Sequence, residues 1–548
     1  MPELEPVVYL IVGVVIVNGI AGRIGIPAPI LLVLGGLGVS FIPGTPDYQV
    51  NPELVLTVLL PPLLYAAAVE SSVIAIRRLL QAITQLAFGM VLVTAFAVAV
   101  VLHALIPEIP FAAALALGAI VAPPDAVAAV AVARRAGLPR RVVTVLEGES
   151  LFNDATSLVL LRVAVTGIAA GSLAWGPAIG EFAWATVGGL LIGAAVGLLI
   201  SAVRRFVGSS MAITALSFVT PFLAYHVGER AQASGVLAVV VSGLVLGFRA
   251  PFDLQPEVRL TMRATWNALQ YVLEGSVFAL IGLQLWAIVT APDIGRVPVL
   301  LVSGAVLLTV ILIRPIWIFS INAVARLLRR PGSFPSWRPL AAVSWAGMRG
   351  VVSLAAAQTL PFATPYRSLL LTCTIAVILG TLVVQGLTLP AVIRALHLPG
   401  DPVSDLAQER AAAQQEANRA IAARVEQVVA DEALPAREAD QMRAWAASRD
   451  WRGLTERLDR GGEDAGERLE RISGWRHELV GIERDVFVAM RNSGRLSEEV
   501  LRELQYDLDL EEALLDRRMD DASGHLDQLR ATRTDRGQEP GDPADTGR

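Results

Sequence analysis

Thirteen mostly apolar runs follow one another along the first 400 positions, near 7–22, 28–42, 53–76, 80–106, 111–133, 142–169, 178–204, 211–228, 233–248, 262–290, 297–326, 338–361 and 366–396. A helix that crosses a bilayer needs about 20 such residues, because the hydrocarbon core is roughly 30 Å thick. In that medium every backbone N–H and C=O has to be paired within the protein, so only helices and closed barrels can span it. Runs of this length select helices, and the expected fold is an all-α polytopic membrane protein. Composition agrees: 54% of the residues are apolar, 17% are charged and mean hydropathy is +0.57. A soluble domain is about a quarter charged. The one cysteine, Cys373, excludes an internal disulfide.

Orientation follows from arginine placement, since short cytoplasmic loops collect positive charge. Alternate loops hold Arg23; Arg77 and Arg78; Arg134, Arg135, Arg140 and Arg141; Arg204 and Arg205; Arg249, Arg259 and Arg263; and Arg326, Arg329, Arg330 and Arg338. The intervening loops hold only Arg230, Arg296 and Arg367. This sixteen-to-three split puts the N-terminus outside and the C-terminal part in the cytoplasm. Met1–Pro6 carries two glutamates where a secretion signal would be positive, so no signal peptide is expected. These spans put the chain in a membrane, surrounded by lipid.

The composition changes at Pro399–Gly400. Residues 1–400 hold 23 Arg against 16 Asp and Glu, whereas 401–548 hold 22 Arg against 34. Three parts are expected: a membrane domain over 1–398, a small helical cytoplasmic domain over 399–531, and a disordered tail over 532–548 rich in Asp, Gly, Pro and Thr. The acidity of the C-terminal part argues against nucleic acid as a partner. No phosphate-binding glycine loop, metal-spaced Cys/His set or nucleophile constellation is present, so neither an enzyme nor a cofactor is indicated.

Thirteen spans divide as six, one and six, the arithmetic of an inverted repeat in secondary transporters, whose sites lie where corresponding helices are broken at mid-membrane. The fifth run carries Pro123–Pro124 at its centre and the twelfth carries Gly347 and Gly350. Tandem prolines remove two amide donors and clash with the preceding turn, so a break is expected there. Each break has a charge beside it, Asp125 and Arg349.

Charged side chains in a bilayer are costly and mark partners or function. The densest cluster is Glu147-Gly-Glu-Ser-Leu-Phe-Asn-Asp154 in the sixth run. Ser150 and Asp154 are four residues apart and share a helix face. Glu149 lies about 140° around from Asp154 and faces another neighbour. A hydroxyl and a carboxylate on one face suit a small hard cation such as Na+, and the carboxylate can hold a proton instead. Glu274 and Arg314 could pair between the tenth and eleventh spans. Arg162 has no evident role in the sequence.

The stretches GESLFNDATSLVLL at 148–161, APPDAVAAVAVARRAGLPRRV at 122–142 and SWAGMRGVVSLAAA at 344–357 resemble the monovalent cation/proton antiporters of the CPA1 group, the NhaP- and NHE-type exchangers. The likeness spans essentially residues 1–400. It implies a homodimer that exchanges a monovalent cation, Na+ first and K+ or Li+ next, for a proton by alternating access. The Asn153–Asp154 pair matches the family's Asn-Asp motif, in which the aspartate is the central ion- and proton-binding carboxylate. Asparagine at the first position goes with electroneutral exchange. The family's ion site also takes in Ser150 and a backbone carbonyl at the crossing of the broken helices. Where the family usually has threonine this chain has Pro124, so only the carbonyl can serve. Asp125 either binds water around the ion or caps a half-helix. Glu70 is the candidate for the third-helix carboxylate of some members. The resemblance pairs Glu149 with Arg349 as a structural ion pair. The competing expectation, a passive cation channel, would require a continuous polar pore.

Overall fold

The computed structural model describes residues 4–24, 28–42, 55–125, 129–130, 138–171, 173–289, 296–328, 336–398, 403–431, 436, 439–440, 442–444 and 465–514. Helix is found within every one of the thirteen apolar runs, and no strand occurs among the described residues. In chain order the helices are α1 (Leu4–Ile24), α2 (Ala28–Ser40), α3 (Leu60–Val69), α4 (Val73–Arg78), α5 (Leu80–Leu105) and α6 (Phe111–Val121). There follow α7 (Arg140–Ala170), α8 (Trp175–Arg204), α9 (Ser210–Arg230), α10 (Gly235–Asp253), α11 (Pro256–Val289) and α12 (Arg296–Leu327). Then come α13 (Trp337–Trp345), α14 (Val351–Gln358), α15 (Arg367–Leu396), α16 (Val403–Asp431), α17 (Ala465–Ser493) and α18 (498–514). Eight are long and apolar enough to cross a bilayer by themselves, while α2, the helix ending in α3, and α6 are shorter. The disordered tail expected over 532–548 and the arginines 134, 135, 329 and 330 lie outside the described residues.

The chain divides into two compact units, Met1–Asp253 with Met262–Asp401, and Leu254–Thr261 with Pro402–Arg548. In the first, the interior is built from small residues. Gly189, Gly193 and Gly197 make a stripe along one face of α8, where an added Cβ would come within 2.9 Å of Ser234 O, 2.6 Å of Ala238 O and 2.9 Å of Val245 Cβ. With no hydrophobic force between helices in lipid, such stripes let backbones touch and gain dispersion energy instead. Around α6 the packing is denser still: Ala113 to Ala122 are all buried, against Val91, Ala95 and Leu102 of α5. A helix apolar on all sides in this way is an inside helix. The helix α5 contains a π-helical stretch over Gln85–Met90, and the indole N–H of Trp317 donates to the Gln85 carbonyl at 3.3 Å.

The second unit is a small soluble-type core. Ala413 and Ala417 of α16, Phe487 of α17, and Leu501, Leu504 and Leu508 of α18 come together, each at helical spacing on its own element. α17 stops because Gly494 takes φ +72°, which bends the chain so that Arg495 N–H reaches back to Met490 O at 2.9 Å. Arg476–Glu511 at 3.2 Å and Arg484–Glu512 at 2.5 Å join α17 to α18.

Candidate cation site

The two breaks expected from proline and glycine are present, and they meet. α6 ends at Val121, followed by the non-helical stretch Ala122–Asp125; α13 ends at Trp345, and α14 resumes after Gly350. The amide of Asp125, which would have bonded Val121 in an unbroken helix, donates instead to Met348 O at 2.7 Å. One break thus hydrogen-bonds the other.

Three carbonyls at the end of α6 have donors from outside the helix. Pro123 lacks the N–H that would close on Ala119 O, and the Ser157 hydroxyl donates there at 2.7 Å. Val121 O accepts from Arg349 Nε at 2.9 Å and Ala122 O from Arg349 Nη2 at 3.0 Å. Arg349 Nη1 donates to Gly347 O, and the Arg349 amide donates to Thr381 Oγ1 at 3.0 Å. Its guanidinium is therefore the cap of half-helix α6, placed where the negative end of the helix dipole favours a cation. At the opposite break, an added Cβ at Gly350 would collide with Asp125 Oδ2, so the Asp125 carboxylate rests on bare backbone at the start of α14.

These positions correct the expected ion pair. Glu149 is paired with Arg314, not with Arg349: Arg314 Nη1 and Nη2 donate to its two carboxylate oxygens at 2.5 and 2.7 Å. Both side chains are fully buried, and Arg314 Nε donates to Val343 O at 3.1 Å. The donors of Arg349 are already taken by the carbonyls that the break exposes, which leaves Glu149 to the other arginine. Gly347 makes room for the Arg314 side chain, whose Cδ would stand 2.6 Å from a Cβ at that position. The alternative pairing of Arg314 with Glu274 is likewise absent. Glu274 Oε1 accepts from Gln270 Nε2 at 2.6 Å, one turn back on α11.

On the face of α7 that meets the crossing, Asn153 and Asp154 are buried and Ser150 is half-buried, one turn earlier. Asn153 Nδ2 donates to Pro124 O at 3.0 Å, which fixes the broken strand to α7. Asn153 Oδ1, equally buried, has no hydrogen-bond partner among the described residues. Asp154 is 7% exposed and makes no hydrogen bond or ion pair among the described residues. Asp125 lies within its electrostatic reach. A buried carboxylate left without a donor or a cation is costly, and it needs a bound cation or a proton. Ser150, Asp154 and the carbonyl of Pro124, which keeps a second lone pair, supply the hard oxygen donors for the former.

Residues 7–395 match the transmembrane sodium/hydrogen exchanger family. The chain belongs to that family. An uncharacterized Na+/H+ exchanger of Mycobacterium tuberculosis is 34% identical over 534 residues, covering 93% of this chain and 96% of that protein. The Na+/H+ antiporter ApNhaP of Aphanothece halophytica is 31% identical, covering 69% of this chain and 71% of that one. A sodium, potassium, lithium and rubidium/H+ antiporter of Bacillus subtilis is 30% identical, covering 70% and 60%. In fold, the chain is similar to the sodium proton antiporter MjNhaP1 of Methanocaldococcus jannaschii, with a TM-score of 0.59 at 20% identity over 72% of this chain and 99% of that one. The exchanger is a multi-pass membrane transporter that carries cations against protons.

Of the residues singled out in the sequence of this exchanger, Asp125, Pro124, Asn153 and Asp154 meet at the crossing, with Ser150 on the same helix face. Glu70 does not join them by any bond: it is exposed at the C-terminal end of α3, without a hydrogen bond or ion pair to the others. Arg162 pairs with Glu229 at 2.7 Å, and Glu229 Oε1 also accepts from the Gly235 amide at 3.1 Å, so the arginine ties α7 to the α9–α10 connection. Ser157 escaped notice, although its signal was available. It stands three residues beyond Asp154 on the helix that faces a double proline, where a spare hydroxyl donor is needed.

Proposed function

We propose that this exchanger moves one monovalent cation against one proton, with Na+ as the first substrate and K+ or Li+ as further candidates, and that the two compete for Asp154. The carrying observation is that Asp154 is buried, makes no hydrogen bond or ion pair among the described residues, and stands beside Ser150 and the junction of two broken helices. Cation and proton cannot occupy the same carboxylate together, so whichever is bound when the access side changes is the one carried. Asn153, neutral and tied to Pro124 O, adds no second carboxylate beside Asp154, which supports an electroneutral cycle. The Bacillus relative, named for four alkali cations, supports testing K+ and Li+ beside Na+.

The wider reading rests on the count of spans, the placement of arginines and the family resemblance. Two six-helix repeats of inverted topology carry the two broken helices, with the N-terminus outside and the C-terminal domain in the cytoplasm. Two copies form a dimer in the inner membrane. During exchange, Asp125 holds water around the ion or caps α14.

The test is proton flux in proteoliposomes containing a pH-sensitive dye, with Na+, K+ or Li+ added, for the natural chain and Asp154→Asn. The expected result is cation-driven alkalinisation that persists with the voltage clamped and disappears in the variant. Unchanged flux in Asp154→Asn would overturn the assignment.

A further inference from the structure

The helix α11 begins in one compact unit and runs on into the other. Its first residues belong to the segment Leu254–Thr261, which packs as part of the C-terminal unit, and from Met262 it belongs to the membrane unit. Leu254 and Val258 are buried there. The next residue along α11 is Arg259. Its Nε donates to Asp509 Oδ2 at 2.8 Å, its Nη2 donates to Asp509 Oδ1, and its Nη1 donates to Leu254 O. The two side chains are only 11% and 5% exposed. Asp509 also receives Arg484 at 3.4 Å, and Arg484 reaches Glu512 at 2.5 Å. A loop that merely joined two spans would have no use for a desolvated, two-pronged ion pair to a residue 250 positions away.

We propose that Arg259 and Asp509 are a positioning pair for exchange, through which the C-terminal domain holds the near end of α11. A bidentate guanidinium–carboxylate contact fixes orientation as well as distance, unlike a single-point contact. A helix is stiff along its axis, so what is fixed at Arg259 is felt along the rod; Glu274 lies about 22 Å further on at 1.5 Å per residue. The domain therefore sets how freely α11 tilts or rotates when access alternates. Neither residue is among those that meet at the two helix breaks, so the pair acts on the rate of the conformational step and not on cation affinity. This rests on the family's exchange activity and not on the choice of Asp154 as the carrier.

The test uses the full chain in proteoliposomes, with Na+-driven exchange measured over a range of Na+ concentrations. Arg259→Gln and Asp509→Asn are each expected to change the maximum rate by about threefold or more, the scale of couplings carried between distant sites. The apparent KM for Na+ is expected to stay within about twofold in both. The reciprocal pair, Arg259→Asp with Asp509→Arg, is expected to return the rate to within about twofold of the natural chain. Arg484→Gln disturbs the domain's own ion network but leaves the link to α11, and it should not alter the rate. Wild-type rates in both single variants would overturn the proposal, as would an equal effect of Arg484→Gln, which would mean general loosening of the domain. Where a neutral variant fails to fold, Asp509→Glu keeps the charge and shifts the contact by one methylene. An altered rate at unchanged KM supports the pairing, and an unaltered rate sinks it.

Discussion

Glu149 and Arg314 face each other as a two-pronged ion pair from which solvent is wholly excluded. It joins α7, the helix of Asp154, to α12. Two buried charges are tolerable only while both remain. Arg314→Met is expected to destabilise the protein by about 3–5 kcal/mol, because it strands the Glu149 carboxylate. The double replacement Glu149→Leu with Arg314→Met should recover most of that loss. Apparent melting temperatures in detergent check both. A single variant as stable as the natural chain would contradict the burial of the pair.

Competition at one carboxylate has a numerical signature. With one proton displacing one cation, the apparent KM for Na+ should rise about tenfold for each pH unit on the acid side of the carboxyl's titration, while the maximum rate at saturating Na+ stays level. A rise of about a hundredfold per unit would mean two protons and would remove the electroneutral reading. An Na+ titration of exchange at several pH values decides the matter, and a flat KM would defeat competition altogether.

Gly350→Ala should abolish exchange and cost about 1–3 kcal/mol of stability, the usual scale for a methyl group forced into a filled space. The added carbon has nowhere to go except into the Asp125 carboxylate. Adding Asp125→Gly to that background should restore stability without restoring transport. Paired melting and flux measurements separate the two effects, and a fully active Gly350→Ala would show that the break does not hold this shape.

Ser157→Ala removes the hydroxyl that substitutes for the missing amide of Pro123. Ala119 O would keep only the long bond from the Ala122 amide at 3.4 Å. The expected loss is about 1 kcal/mol, that of one buried hydrogen bond. Thermal melting would register it as a small drop, and Ser157→Thr, which keeps the hydroxyl, should be closer to the natural chain.

Much of this architecture could be read from the residues alone, and the reasons are local. Lipid demands long apolar helices, a double proline cannot remain helical, and Ser150 and Asp154 share a face whatever surrounds them. The helical position of Glu149 already showed that it turns away from Asp154. What could not be read was which arginine it would find. Arg314 and Arg349 both lie in apolar surroundings and carry the same charge, and the choice depends on which carbonyls the crossing leaves unpaired. Only the folded backbone shows that Val121 O and Ala122 O need Arg349. The same holds for Arg162, whose partner Glu229 sits on an element with no periodic relation to it.

The glycine stripe on α8 carries a further consequence for movement. Where Gly193 meets Ala238 at backbone distance, a displacement by a fraction of a turn would drive side chains into main chain. Helices interlocked in this way do not slip past each other, so α8 and α10 travel, or stay still, as one rigid member. If the proposed exchange involves a shear between helices, that plane is expected elsewhere, between surfaces that meet through side chains able to change rotamer.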